Sequence, residues 1–187
     1  MKVQQEWGAL ISQTGSEIIA IAQETGFLPS LIVTNRLAKI SQENLEIFGK
    51  NNVEIRTIPF NPVLEDYLIP ELLDKKLITL HGFLRILPPG FFWEFKGEIY
   101  NGHPALITKY PELKGFNKQE DIAGNQEKYP LCGSVIHEVI PELDSGDVVA
   151  AIETENTAKT IDEAYNLLRG TSLQSWKFFF TYIWEFE

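Results

Sequence analysis

Apolar and polar positions along this chain fall into two repeating patterns. Short runs with little or no charge, at 8–12 (GALIS), 30–34 (SLIVT) and 77–80 (LITL), suit strands covered on both faces, and 53–58 (VEIRTI) reads as another strand. Segments 17–22, 43–50 and 62–76 suit helices, the first closed by Gly26 as a C-cap. Strands alternating with helices predict an α/β fold: a Rossmann-like, doubly wound, mostly parallel sheet in a single domain spanning 1–187.

The pattern continues through a short helix after Pro88-Pro89 and a strand ending on Asn101-Gly102-His103-Pro104. Segment 105–133 is long and polar, with Tyr110-Pro111 and Tyr129-Pro130 inside it, as expected of a functional or mobile connection. Beyond it, 133–139 (GSVIHEV) alternates as a strand, 141–147 is a turn-rich acidic loop and 148–154 is the next strand. From Ile161 to the terminus the spacing predicts one long helix, with Leu173, Trp176, Phe180 and Ile183 packing on the sheet.

Composition narrows the class. The 187 residues are 44% hydrophobic and 22% charged, with 4 Trp, 6 Tyr and 12 Phe, which fits a folded domain with a full core. No apolar run approaches the roughly 18–20 residues that cross a bilayer, and Gln4, Gln5 and Glu6 interrupt any signal-peptide pattern. A cytoplasmic protein without membrane attachment is expected. Cys132 is the single cysteine, so there is no disulfide and no thiolate zinc cluster, and no metal is expected. The net charge of −10 repels polyanions, so no nucleic-acid partner is expected, whereas a small phosphorylated ligand remains possible.

Three polar groups lie at expected strand ends or loops: Asn101, His103 and Asp144. Open α/β sheets place their chemistry at the carboxyl ends of strands. On an extended backbone Asn101 and His103 point the same way. An imidazole moves protons near neutral pH, and a carboxylate beside it raises its pKa and orients it. An amide donor stabilises a developing oxyanion. Together they suit acyl transfer by direct attack, since the nearby Ser134 and Cys132 lack an elbow motif. His81 reads as a pocket residue or a buried strand-end histidine.

The spacing Asn101-x-His103-Pro104, Lys109-Tyr110-Pro111, Gly133-x-x-x-His137 and Leu143-Asp144-x-Gly146 resembles the folate-dependent formyltransferase family, in particular its glycinamide ribonucleotide branch. Gly82-Phe83-Leu84-Arg85-Ile86-Leu87 is similar to the loop whose backbone lines that family's pterin pocket. Likeness runs from about Gly8 to the last helix. The resemblance implies catalysis by Asn101, His103 and Asp144, with His137 supporting them. It implies that Leu84, Arg85, Ile86 and Leu87, with Ile140, Pro141, Glu142 and Leu143, hold 10-formyltetrahydrofolate, the formyl donor. The turn Thr14, Gly15, Ser16 and Glu17 would face the amine substrate. The implied partners are folate and a small-molecule amine, with the protein a monomer or homodimer.

The sequence departs from the family at the acceptor end. The family's phosphate loop reads Gly, any, Gly, Ser, Asn, and here Gln13, Thr14, Gly15, Ser16 and Glu17 stand there. At about 4 Å and an effective dielectric near 20, a carboxylate and a phosphate repel by roughly 4 kcal/mol before screening. Glu17 therefore disfavours a ribonucleotide unless it turns outward. Ala105 and Glu112 replace an expected Ser and Gly, and the acidic residue that grips the glycinamide amine has no counterpart near Arg169-Gly170. Glycinamide ribonucleotide is the default acceptor, and an amino sugar nucleotide or another amine the alternative. A folate-binding relative without transferase activity is a third reading. Methionyl-tRNA formylation is disfavoured by the charge and by the lack of a further domain after the last helix. Formyl-folate hydrolysis is disfavoured by the lack of an N-terminal regulatory domain.

Overall fold

The computed structural model describes residues 1–59, 70 and 72–186, which fall into two compact units, one from the start of the chain to Asn101 and including Phe186, the other Gly102–Glu185. The helix expected over 62–76 lies largely outside the described residues. Among the described residues no helix is long and apolar enough to cross a membrane.

In the first unit β1 (Lys2–Ile11), β2 (Phe27–Thr34), β3 (Glu54–Thr57), β4 (Leu77–His81) and β5 (Glu98–His103) are joined in the order β3-β2-β1-β4-β5, every pair parallel. The chain winds outward from β1 to β3 and then returns to the other side of β1, as the doubly wound expectation requires. The reversal lies between β1 and β4, so their carboxyl ends form the switch point where such sheets bind ligands. The helix α1 (Ser16–Thr25) follows β1 and α2 (Gln42–Lys50) follows β2. Both bury their apolar stripes in one cluster: Ile18, Ile19 and Ala22 of α1 and Phe48 of α2 meet Ala9, Ile11, Leu28 and Ile32 of the sheet. The strand β4 is buried at all five positions, which is why its sequence shows no alternation.

Strand β1 begins six residues earlier than its apolar run suggests. Lys2, Val3 and Gln4 pair with Phe27, Leu28 and Pro29 before the register shifts ahead of Gly8. Polar Gln4 is thereby buried, a placement that periodicity does not signal.

The second unit is built on β6 (Leu131–Glu138) and β7 (Val148–Glu155), an antiparallel pair covered by α5 (Ile161–Phe178). Segment 105–133 contributes Ala105, Leu106, Ile107, Leu113, Ile122 and Tyr129 to the core against Val135 and Leu168. Its composition reads as a loop, yet it contains a 3-10 turn at Pro111–Leu113 and a short helix α4 (Lys118–Ile122). The preceding short helix α3 (Pro89–Glu94) starts on proline as expected.

The last helix begins with a capping box, in which Thr160 accepts from the Glu163 amide and Glu163 accepts from the Thr160 amide. It does not run to the terminus. It ends at Phe178 and passes into a π turn, Phe179–Ile183. The widened turn shifts the side-chain phase. Trp176, Phe179 and Phe180 are buried, while Ile183, expected in the packed stripe, is exposed.

Candidate active site

In the second unit the end of β5 brings His103 to Asp144 and His137. The His103 ring is fixed by its outer nitrogen: Nε2 donates to the Leu113 carbonyl at 2.8 Å. That bond turns Nδ1 toward Asp144 Oδ2, 3.5 Å away. His137 on β6 is fixed in the same manner. Its Nδ1 donates to the Glu138 carbonyl at 2.7 Å, and its Nε2 lies 3.6 Å from Asp144 Oδ1. The two rings meet edge to face with centroids 6.2 Å apart.

Asp144 is placed by its loop. Its backbone is left-handed, with φ of 47°, an uncommon conformation outside glycine that aspartate tolerates better than most residues. The Gly115 amide donates to its Oδ2 at 2.7 Å. Lys114 donates to Ser145 and Ser145 to the Leu143 carbonyl, tying the loop down on either side. Segment 105–133 therefore supplies both the carbonyl that orients His103 and the amide that orients Asp144.

Burial pushes the His103 imidazole below its ordinary value of 6.5, and the Asp144 carboxylate and Leu113 carbonyl only partly oppose it. His137 is lowered for the same reason, opposed by the Glu138 carbonyl and Asp144. Each histidine thus binds its proton less readily in the folded protein than in the unfolded chain. Unfolded chains take up more protons as pH falls through 6.5, so stability is full above that value and declines below it. The thermal midpoint is expected to fall between about pH 7.5 and 5.5, and replacing both histidines by Asn is expected to flatten that slope. An identical slope in the double variant would show that neither histidine contributes.

The three groups offer one donor atom each within 4.8 Å of one another, a two-histidine, one-carboxylate set that suits a transition-metal ion. Neither Cys132 nor Ser134 is prepared as a nucleophile. Burial pushes the Cys132 thiol up to about 11. Ser134 is fully buried, where its hydroxyl bonds to Thr171 and the Leu168 carbonyl. Behind β5, Gly102 leaves room for Trp176: a Cβ on Gly102 would stand 2.7 Å from the indole Nε1.

In the first unit Asn101 lies near the end of β5 and is half-buried. The turn Thr14–Glu17 runs into the amino end of α1. Gly15 is the N-cap with φ of 75°, and Phe48 packs where its side chain would be. Asn44 holds the Thr14 carbonyl at 2.9 Å, and the Leu84 amide donates to Ser12 at 3.0 Å, binding the loop after β4 to the end of β1. In that loop Leu84 and Ile86 are exposed apolar side chains, Arg85 is half-buried and Leu87 is buried. In the second unit Ile140 is half-buried and Pro141, Glu142 and Leu143 are exposed.

Glu17 neither turns outward nor stands alone. Its Oε2 lies 2.8 Å from Nδ1 of His81, a buried residue 64 positions along the chain. The other nitrogen of His81, Nε2, is 2.8 Å from Thr79 Oγ1, which accepts from the Trp7 indole at 2.8 Å. No local spacing signals this pair. Asn35, just past β2 and outside any motif, is buried with no hydrogen-bond partner on either amide atom among the described residues.

The sequence from residue 63 to 171, more than half of the chain, matches the formyl transferase family model. The chain is 30% identical over 152 residues to phosphoribosylglycinamide formyltransferase of Haemophilus influenzae, covering 75% of this chain and 68% of that protein. It is 29% identical to the Dictyostelium discoideum protein of the same name over 191 residues, covering 88% of this chain and 92% of that one. It also spans 11% to 16% of the length of three trifunctional purine biosynthetic proteins. Among solved structures, phosphoribosylglycinamide formyltransferase from Streptococcus pneumoniae superposes with a TM-score of 0.76 at 22% identity, over 92% of this chain and 95% of that one. The fold is thus the α/β formyltransferase fold, and the chain belongs to the formyl transferase family.

Proposed function

We propose that this protein transfers the formyl group of 10-formyltetrahydrofolate to a small primary amine, by default glycinamide ribonucleotide, in purine biosynthesis. The observation that carries the reading is the His103–Asp144 pair, held 3.5 Å apart by backbone groups on either side. It supports proton transfer in both directions around a tetrahedral intermediate. The amine nitrogen attacks the formyl carbon, forming a C–N bond while the carbonyl oxygen gains negative charge. Asn101 and protonated His103 stabilise that oxygen. As the bond from carbon to the folate nitrogen breaks, protonated His103 gives that nitrogen its Nδ1 proton, and the proton lost by the ammonium passes through water ordered by Asp144 back to His103, restoring its charged form. Asp144 stabilises the charged form of His103 that burial otherwise disfavours. No acyl-enzyme is needed, in keeping with the buried, bonded Ser134 and the weakly acidic Cys132 thiol.

Leu84, Arg85, Ile86 and Leu87, with Ile140, Pro141, Glu142 and Leu143, hold the folate in this reading. Exposed Leu84 and Ile86 of the first unit, and exposed Leu143 of the second, are apolar side chains of the kind a pterin ring covers. Thr14 to Glu17 face the acceptor. The protein works in the cytoplasm, as a monomer or homodimer, on small molecules.

Release of tetrahydrofolate, followed by absorbance with and without glycinamide ribonucleotide, tests the assignment. Acceptor-dependent turnover is expected. Folate binding without turnover would move the acceptor to another amine, and absence of folate binding would overturn the reading of the pocket.

A further inference from the structure

A carbonyl oxygen only accepts hydrogen bonds, so the Leu113 and Glu138 carbonyls fix the tautomer of each neutral imidazole beside Asp144. His103 carries its proton on Nε2 and His137 carries its proton on Nδ1. The remaining nitrogens, His103 Nδ1 and His137 Nε2, bear lone pairs and lie 3.5 and 3.6 Å from the two carboxylate oxygens. Those separations are at or past the reach of a hydrogen bond. They approach the roughly 3.3 Å edge of a tetrahedron whose nitrogen and oxygen corners stand about 2.0–2.1 Å from a central zinc ion. One ligand atom from each residue lies within 4.8 Å of the other two, so small side-chain rotations close the set around one ion. Histidines that bind metals commonly donate their other ring N–H to a backbone carbonyl, which orients the ring, and both rings here do so.

We propose that His103, His137 and Asp144 form an inhibitory site for a divalent transition-metal ion of the zinc class, which takes the place of the catalytic proton and stops formyl transfer. The inhibitory half of the inference rests on the reading of His103 as the acid–base group, and the binding half stands on the ligands alone. An ion on Nδ1 occupies the lone pair that carries the proton for the folate nitrogen, and it draws on the same Asp144 charge. The single cysteine excludes a thiolate cluster, but imidazole and carboxylate ligands need no sulfur. Magnesium prefers an octahedral shell of oxygen atoms and gives up water reluctantly, so this nitrogen-rich set disfavours it. Two ammonium groups weigh against a cation, Lys118 acting on His103 and Lys114 on His137. Each is engaged elsewhere, Lys118 with Asp121 at 3.0 Å and Lys114 with Ser145 at 2.8 Å. The side chains of His103 and Asp144 are 4% and 8% exposed, so water competes weakly for the ion once it is bound.

Titration calorimetry of the full chain with zinc chloride, and visible absorption with cobalt(II), test binding without relying on turnover. The wild type is expected to bind one equivalent of zinc at least about a hundredfold more tightly than magnesium, and to give cobalt the intense bands of a low-coordinate site. His137→Gln removes one ligand, and Asp144→Asn removes the charge while suiting the same backbone. Each is expected to weaken zinc by at least about tenfold and to lose the cobalt bands, with circular dichroism confirming that the variants are folded. Absence of zinc binding, or equal affinity in the wild type and a folded variant, would overturn the proposal. Saturating zinc is expected to stop acceptor-dependent tetrahydrofolate release, and a chelator to restore it. Undiminished release from the zinc-loaded protein would overturn the inhibitory role. A metal-free protein that releases no tetrahydrofolate would count against the formyl-transfer reading instead, because the metal titrations need no catalysis.

Discussion

His103→Ala is expected to lower kcat for formyl transfer by about 10² to 10⁴-fold, the usual worth of a positioned acid–base group. Folate affinity should stay within about tenfold, because the imidazole acts on charge that develops only during reaction. Asp144→Asn should produce a loss of the same order by a different route. The substitution keeps a residue that tolerates the left-handed backbone and keeps an oxygen for the Gly115 amide, so the loop remains in place. What it removes is the negative charge that favours protonated His103 against burial. Its residual activity should therefore shift to lower pH, where the histidine protonates without help. Single-turnover kinetics across pH, paired with folate titrations, would measure both effects. Full turnover in either variant would remove that residue from the mechanism.

The second large effect concerns the wall behind β5. Trp176 is completely buried, stacks with Phe180 and meets Phe179 edge on, and its indole occupies the space beside Gly102. Trp176→Ala is expected to destabilise the protein by about 3–5 kcal/mol through the cavity it leaves. Gly102→Ala adds a Cβ at 2.7 Å from the indole nitrogen, and overpacking of that kind costs about 1–3 kcal/mol. The two changes touch the same space, so their costs should not add. Gly102→Ala combined with Trp176→Leu should cost less than the sum of the two single variants, a coupling that urea unfolding resolves. Additive costs would mean that Gly102 is small for some reason other than the indole. Because Gly102 lies between Asn101 and His103, Gly102→Ala is also expected to reduce kcat, by displacing the residues on either side.

Strands β2 and β4, helices α1 and α2, and the placement of Asn101 and His103 at the end of a strand were all legible in the pattern of apolar and polar residues. Each depends on local periodicity or on capping, which act over a few residues. The family was legible too, because Asn101, His103, His137 and Asp144 keep their order and spacing within turn and strand contexts that periodicity identifies. The altered Glu17 was visible as a departure, but its partner was not. His81 and Glu17 meet only because β4 lies beside β1, and that adjacency follows from sheet order.

The sequence by itself determined the class of fold, the family and the residue types available for proton transfer and oxyanion stabilisation. Tertiary structure decided what those groups can do. It set the His103 ring through a carbonyl on the polar segment after it, left Asp144 in a left-handed backbone beneath the Gly115 amide, and turned Glu17 onto a buried histidine. It also ended the last helix in a π turn that carries Ile183 out to solvent. The physical reason is common to all four. Secondary structure follows from side chains a few residues apart, whereas burial, charge and the direction of a polar group are set by atoms that only folding brings near.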